Sequence, residues 1–225
     1  MAVNAVLDVD GTLVDSNYQH VVAWHRAFRR HDVVRPLWHI HRHMGMGGDQ
    51  LVPAVAGEDV DRKVGQAIRD AWKEEFDRLI DEVAVVPGAV ELLEAVDRSG
   101  ADLLLASSGK PDHVEHFLGL LGARDLATVW TSSEDVENTK PDPDLIAAAV
   151  EKAGGGPAVT FGDSTWDALS AGRLGLPAVL VRTGGFGTDE LRAAGAAEVY
   201  ESLTDVTADL DRLLRLATEP RRPGG

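Results

Sequence analysis

The chain has 225 residues, 44% of them hydrophobic and 26% charged, with a formal net charge of -15. That length can bury a sizeable core, as one domain or as a core with a smaller insert, and the negative balance argues against non-specific binding to nucleic acid or to an anionic membrane surface. Cysteine is absent, which excludes a disulfide framework and a thiolate zinc site; with no basic-then-apolar leader and no apolar run near ~18 residues, the cytoplasm is the expected location.

Val3 to Leu7 is apolar apart from Asn4 and predicts a short buried strand. It runs into Asp8-Val9-Asp10-Gly11-Thr12-Leu13-Val14-Asp15. Residues two apart on an extended chain point the same way, so Asp8 and Asp10 fall side by side at the carboxyl end of that strand. Two carboxylates so close repel, and one pKa rises unless a cation neutralises them. A divalent metal, or work for one ionised and one protonated carboxylate, offsets that cost. For an isolated Asp-x-Asp-Gly, an acidic turn after a strand is the plainer alternative.

From about Ser16 to Glu82 the chain reads as helix without a convincing second strand. Val60, Val64, Ala67, Ile68, Ala71, Trp72, Phe76, Leu79 and Ile80 recur at helical spacing, with charged residues opposite, which predicts an amphipathic helix. Earlier in this stretch lie Pro36, a histidine-rich patch and Met44-Gly45-Met46-Gly47-Gly48, whose glycines predict a turn or joint between helices. Six of the eight histidines fall between His20 and His43. His39 and His43 share a helix face at i, i+4, which suits either a metal pair or two surface side chains.

From Pro87 helix and strand alternate. A helix opens at Pro87-Gly88 and closes at Ser99-Gly100, Leu103–Ala106 is a buried strand, and a helix spans about Pro111 to Leu121. Thr128–Trp130 is a short strand, Pro143–Ala153 a helix, Ala158–Phe161 a strand, Thr165–Leu174 a helix, and Ala178–Val181 a strand. One helix is predicted from Thr204 to Ala217, and the tail after Glu219 is expected to fray. Near-continuous apolar strands separated by helices argue for an α/β fold, a parallel sheet covered on both faces. Ligands of such sheets bind outside the carboxyl ends of the strands.

Polar residues follow three of the later strands. Ser107-Ser108-Gly109-Lys110 offers hydroxyls and backbone N–H groups for a phosphate, though alone it also fits a helix cap. Pro141 stiffens the turn from which Lys140 projects as a point charge. Asp163 and Asp167, four apart at a helix start, suit a hard cation with oxygen ligands or simple capping. Gly184-Gly185-Phe186-Gly187 reads as a loop at the entrance or a flexible connection.

Asp8/Asp10, Ser107, Lys140 and Asp163/Asp167, in this order, resemble the haloacid dehalogenase superfamily in its phosphatase and phosphomutase branch, over nearly the whole chain. The resemblance implies a Rossmann-like catalytic core over 1–15 and 84–225, with a helical cap inserted over 16–83. It implies Asp8 as a nucleophile that forms an aspartyl-phosphate, and Asp10 as the acid and then the base. Ser107, Ser108 and Gly11 would hold the phosphoryl group and Lys140 would neutralise it. Magnesium would sit on Asp8, Asp163 and the main-chain carbonyl of Asp10, with Asp167 and Ser164 supporting it, Asp167 orienting Lys140 or the metal's water. Arg42 and His43 are the cap candidates for contact with substrate. Dehalogenases and phosphonate hydrolases of the family replace the second aspartate, so Asp10 speaks against both. The expected activity is magnesium-dependent hydrolysis of a small phosphorylated metabolite, with no nucleic-acid or membrane partner. Alternatives are a sugar phosphomutase of the same branch and a non-catalytic phospho-ligand-binding protein; the latter predicts loss of Asp8, Asp10, Lys140 or Asp163, and all four are present.

Overall fold

The computed structural model describes residues 2–219. Strand β1 (Asn4–Leu7) is followed by the two-residue β2 (Val14–Asp15), then by four helices, α1 (Asn17–Arg30), α2 (Leu37–His41), α3 (Gly48–Ala56) and α4 (Glu58–Phe76). Strand β3 (Ala84–Val85) returns antiparallel to β2, so a short ribbon closes the base of the helical segment. The remainder alternates: α5 (Ala89–Ser99), β4 (Asp102–Ala106), α6 (Pro111–Leu121), β5 (Val129–Thr131), α7 (Asp144–Lys152), β6 (Ala158–Gly162), α8 (Thr165–Arg173), β7 (Ala178–Val181), α9 (Thr188–Ala193), β8 (Glu198–Tyr200), α10 (Leu203–Ala208) and α11 (Leu210–Arg215).

Six parallel strands form one sheet in the order β5-β4-β1-β6-β7-β8. The α/β class expected from the apolar runs is therefore present. Side chains alternate across it as the period-two rule requires. Ala5, Leu7, Leu103, Leu105, Val159, Phe161, Val179 and Val181 join one buried cluster with residues of α5, α6, α10 and α11. Val6, Leu104, Ala106, Ala158, Ala178 and Leu180 join the other with residues of α7, α8 and α9. Truncating one such leucine to alanine typically costs about 2–5 kcal/mol. Register puts Leu7 level with Leu105 and Phe161, so the three central strands end together, and the segments that follow them share one edge.

In the helical segment α1 lies along α4. Trp24 stacks on Trp72 with centroids 4.8 Å apart, and Phe28, Ile68 and Phe76 are fully buried. On α4, Ile68, Ala71, Trp72 and Phe76 face inward as the spacing predicts. Ala67 is exposed and Gly65 takes the buried place one turn before Arg69.

Several elements differ from the expectation. The ribbon β2–β3, strand β8 and helix α9 were not anticipated, and the single C-terminal helix is two, broken at Asp209. Asp209 accepts hydrogen bonds from the Arg212 guanidinium at 2.7 Å and the Tyr200 hydroxyl at 2.5 Å, which anchors the break to β8. The tail after Glu219 lies outside the described residues.

Candidate active site

The carboxyl ends of β4, β1 and β6 deliver Ser107, Asp8 and Asp163 to one edge, and the loop after β5 brings Lys140 across it. Asp8 and Lys140 are 4% and 2% exposed and form an ion pair, and Lys140 Nζ also lies 2.7 Å from Asp167. Asp167 sits in the first turn of α8, where its second oxygen accepts from the backbone N–H of Ser164 at 3.0 Å and from its hydroxyl at 2.6 Å. That capping arrangement fixes the carboxylate that aims Lys140 at Asp8. Asp163 accepts from the Thr12 hydroxyl at 3.0 Å and the Asn17 amide at 2.9 Å.

Glycines make this crowding possible. Gly11 has φ +79°, a conformation that favours glycine, and a Cβ there would collide with Asn17 and Asp163. A Cβ on Gly184 would overlap the Asp163 carboxylate. Gly11 therefore shapes the turn that lets Asp163 approach β1, and its carbonyl accepts from the Thr183 hydroxyl at 2.6 Å.

Asp10 has a different environment. Its Oδ1 accepts from the Ser16 hydroxyl at 2.8 Å and faces His20 Nε2 at 3.0 Å; its Oδ2 accepts from the Ser107 hydroxyl at 3.0 Å. A carboxylate can only accept, so His20 carries its proton on Nε2 toward Asp10. Burial opposes ionisation of Asp10, but His20, Ser16 and Ser107 together outweigh it and hold its pKa at about 2. Asp8 goes the other way. Burial raises it well above the usual carboxylate range, Lys140 pulls against that, and Asp167, Asp163 and Asp10 add repulsion. Asp163 is likewise raised, to about 7, by burial and by Asp167, against the Asn17 amide, Lys140 and the Thr12 hydroxyl. Two carboxylates two residues apart thus have opposite character, set by their neighbours.

A cation of the oxygen-seeking kind fits here. Asp8 Oδ2 is buried with no hydrogen-bond partner, and Asp8, Asp163 and Asp167 each offer an oxygen within 4.8 Å of the others. Three buried carboxylates face one ammonium. Asp167 already takes three donors, from Lys140 and from the Ser164 N–H and hydroxyl, whereas Asp8 Oδ2 is bare and each Asp163 oxygen accepts one bond, so Asp8 and Asp163 are the better suited to an ion.

Beside these groups is a cavity of about 40 Å³, lined by Asp8, Asp10, Ser108 and Gly109 on the sheet side. The helical segment contributes Asn17, His20, Trp24, Trp72 and the stretch Met44 to Gly48. Ser107 lies behind this lining, fully buried, with its hydroxyl accepting from Gly109 N–H at 2.9 Å while donating to Asp10. The Ser108 hydroxyl donates to the Gly45 carbonyl at 3.2 Å. Arg42 and His43 do not line the cavity. Arg42 pairs with Glu190 at 2.5 Å and covers the Phe186 ring. His43 spends Nδ1 on the His39 carbonyl at 2.8 Å, so that pair does not converge on a common ion. His20, Ser16, Asn17 and Thr12 were not singled out from the sequence. A signal did exist: Ser16, at the N-cap of α1, and His20 lie i, i+4 directly after the acidic motif.

Residues 5–181 match the family model described as haloacid dehalogenase-like hydrolase. The chain belongs to the haloacid dehalogenase-like hydrolases. Within this family it is similar to a validoxylamine A 7'-phosphate phosphatase of Streptomyces hygroscopicus subsp. limoneus, 30% identical over 90% of this chain and 94% of the relative. A phosphoglycolate phosphatase of Caulobacter vibrioides is 29% identical over 95% and 92%. Among solved structures, a hydrolase from Pseudomonas syringae superposes with a TM-score of 0.88 at 33% identity, covering 94% of this chain and 99% of that one. A β-phosphoglucomutase from Clostridium difficile shares the fold, with a TM-score of 0.82 at 17% identity over 97% and 98%. No helix among the described residues is long and apolar enough to cross a membrane.

Proposed function

We propose that this hydrolase is a magnesium-dependent phosphatase acting on a small phosphorylated metabolite in the cytoplasm, with Asp8 as nucleophile and residues 16–83 as a cap over the site. The observation that carries the reading is the contrast between Asp8, buried against Lys140 with one bare oxygen, and Asp10, ionised and hydrogen-bonded two residues away. Relatives named as phosphatases along nearly the whole chain support the reaction class.

In this mechanism the Asp8 carboxylate attacks phosphorus, forming an aspartyl-phosphate while the ester P–O bond breaks. Asp10 gives a proton to the departing oxygen, then takes one from the water that attacks the aspartyl-phosphate, releasing phosphate and restoring Asp8. In the free enzyme Asp10 is held ionised; a bound phosphate dianion brings like charge beside it and favours its protonated form. His20 and Ser16 keep Asp10 oriented through both steps. Lys140 offsets charge on Asp8 and on the transferring group, and Asp167 holds Lys140 there. Ser107 stays tied to Asp10, while Ser108 and Gly109 reach the cavity and present the segment suited to phosphate oxygens. Magnesium held by Asp8, Asp163 and the Asp10 carbonyl would supply charge neutralisation for an anionic substrate approaching carboxylates.

The test is phosphate release from a panel of phosphate monoesters, with magnesium and with chelator, beside Asp8→Asn. Release that requires both magnesium and Asp8 is expected, with circular dichroism unchanged by either treatment. Turnover surviving Asp8→Asn would falsify the covalent mechanism, and turnover surviving chelation would remove magnesium from it.

A further inference from the structure

The cap side of the cavity carries information about the leaving group, and this inference rests on the hydrolase reading above. Trp24 and Trp72, 3% and 7% exposed, stack with ring planes 11° apart, and Met44 and Met46 lie beside them in the lining. Sulfur and aromatic surface of this kind accepts the apolar face of a ring or chain. Trp72 Nε1 is buried with no hydrogen-bond partner. An indole N–H can only donate, and a buried donor left unpaired is costly, so an oxygen acceptor that reached this N–H would gain a bond that no protein group supplies.

Charge is the second observation. Among the described residues no lysine or arginine lines this cavity. Lys140 is committed to Asp8 and Asp167, and His20 to Asp10. An adjoining cavity shares Gly48, Trp72 and Ser108 and adds Arg69 and Lys110, but Asp49 and Glu137 line it too. Arg69 is already bound to Asp61 at 2.5 Å and to the Gly48 carbonyl at 2.9 Å, and Lys110 lies 3.7 Å from Glu134. Among the described residues, the cavity beside Asp8 and Asp10 thus has no lysine or arginine for an anion besides the phosphate being transferred, and the two cations of the adjoining cavity already face carboxylates.

We propose that the enzyme selects monophosphates with an uncharged, hydroxylated leaving group. Its apolar face would meet the Trp24–Trp72 and methionine wall, and one of its oxygens would accept from Trp72 Nε1. Leaving groups with a carboxylate or a second phosphate are discriminated against, because they would be desolvated beside Asp8 and Asp10 without a countercharge. The same feature separates hydrolysis from mutase chemistry. Transfer of phosphate from the enzyme to a sugar monophosphate yields a bisphosphate, and this cap offers no seat for the phosphate that is not in transit.

The experiment compares kcat/KM of the magnesium-loaded enzyme for glucose 6-phosphate and inositol 1-phosphate with values for 2-phosphoglycolate and glucose 1,6-bisphosphate, with para-nitrophenyl phosphate as a general ester. The better uncharged substrate is expected to exceed both anionic ones by at least about tenfold. Trp72→Phe keeps the ring and removes the donor; it should shrink that preference about tenfold, chiefly through KM. Met46→Lys supplies a cation and should shift preference toward 2-phosphoglycolate. Equal or better turnover of the anionic substrates, or a preference unmoved by both variants, overturns the inference while Asp8-dependent release leaves the phosphatase reading intact. Release from no substrate, para-nitrophenyl phosphate included, overturns both.

Discussion

In the proposed mechanism Asp10 serves as acid and then as base, and its three partners, Ser16, His20 and Ser107, bear on how it does both. Asp10→Asn keeps the shape but can neither give nor take a proton, so kcat should fall by roughly 10²–10⁴-fold. Rapid-quench measurement should show both formation and decay of the aspartyl-phosphate slowed. His20→Leu leaves Oδ1 with Ser16 alone. Steady-state kinetics should show kcat down roughly tenfold with KM nearly unchanged, and His20→Gln, which retains a donor, should recover most of the loss. If the Gln variant were as slow as Leu, the imidazole would be doing more than orienting Asp10. Asp8, Asp10, Ser107, Lys140 and Asp163 were legible because each stands at a strand end or rigid turn where a polar residue interrupts an apolar pattern. His20 was not, because it lies inside a helix among other histidines and its partner is ten residues away.

At the scale of elements, α3 grips the loop that bears Lys140. Gly47 N–H donates to the Thr139 hydroxyl at 2.9 Å, that hydroxyl donates to Asp49 at 2.5 Å, and Thr139 N–H donates to the other Asp49 oxygen at 3.0 Å. Thr139 is 2% exposed, so these bonds form out of water and join the helical segment to the residue before Lys140. Asp49→Ala removes both acceptors; hydrogen exchange should rise in α3 and in the 135–143 segment together, and kcat/KM should fall roughly tenfold or more. Thr139→Ser should behave as the native chain and Thr139→Val as Asp49→Ala. Exchange rising in only one of the two segments would mean that the clasp does not couple them. Long elements were readable from sequence, and of the short ones β5 was but β2, β3, β8 and α9 were not. The central strands are continuous apolar runs, whereas β8 is Glu-Val-Tyr at a sheet edge with all three residues half-buried, and β2 and β3 have two residues each, too few to show a period. The break at Asp209 is invisible in helical spacing because it depends on Tyr200, nine residues earlier.

Across the molecule, the end of α4 packs against α6, and this contact buries a group whose protonation opposes folding. His113, 3% exposed, packs against Phe76 and Trp72 with centroids 4.9 Å and 5.8 Å away. Its Nε2 donates to Asp77 at 2.7 Å, while Nδ1 is buried without a partner. A second proton would put an unpaired N–H and a charge among aromatic rings, so burial lowers the His113 pKa below 6.5 despite the pull of Asp77 and Asp112. Burial pushes Asp77 and Asp112 up, but His113 and Lys73 outweigh it at Asp77 and Lys73 chiefly at Asp112, so both are lowered and stay ionised near neutrality. Lys73, 3.1 Å from one and 2.7 Å from the other, is already the cation of this cluster. Below pH 6.5 the unfolded chain takes up a proton at His113 that the native protein resists. Stability is therefore fully present above pH 6.5, falls as pH drops through that value, and stops falling once the lowered native pKa is passed. Thermal denaturation with magnesium present should show a lower Tm at mildly acidic than at mildly alkaline pH. His113→Phe keeps the aromatic contact and removes the titrating ring, so its Tm should fall less over the same interval. His113→Phe also releases Asp77 and Asp112 from the pull of His113, but these carboxylates titrate at more acidic pH. Between mildly acidic and mildly alkaline pH the difference between the two curves is therefore assigned to His113, and curves that run parallel there would remove it as the source.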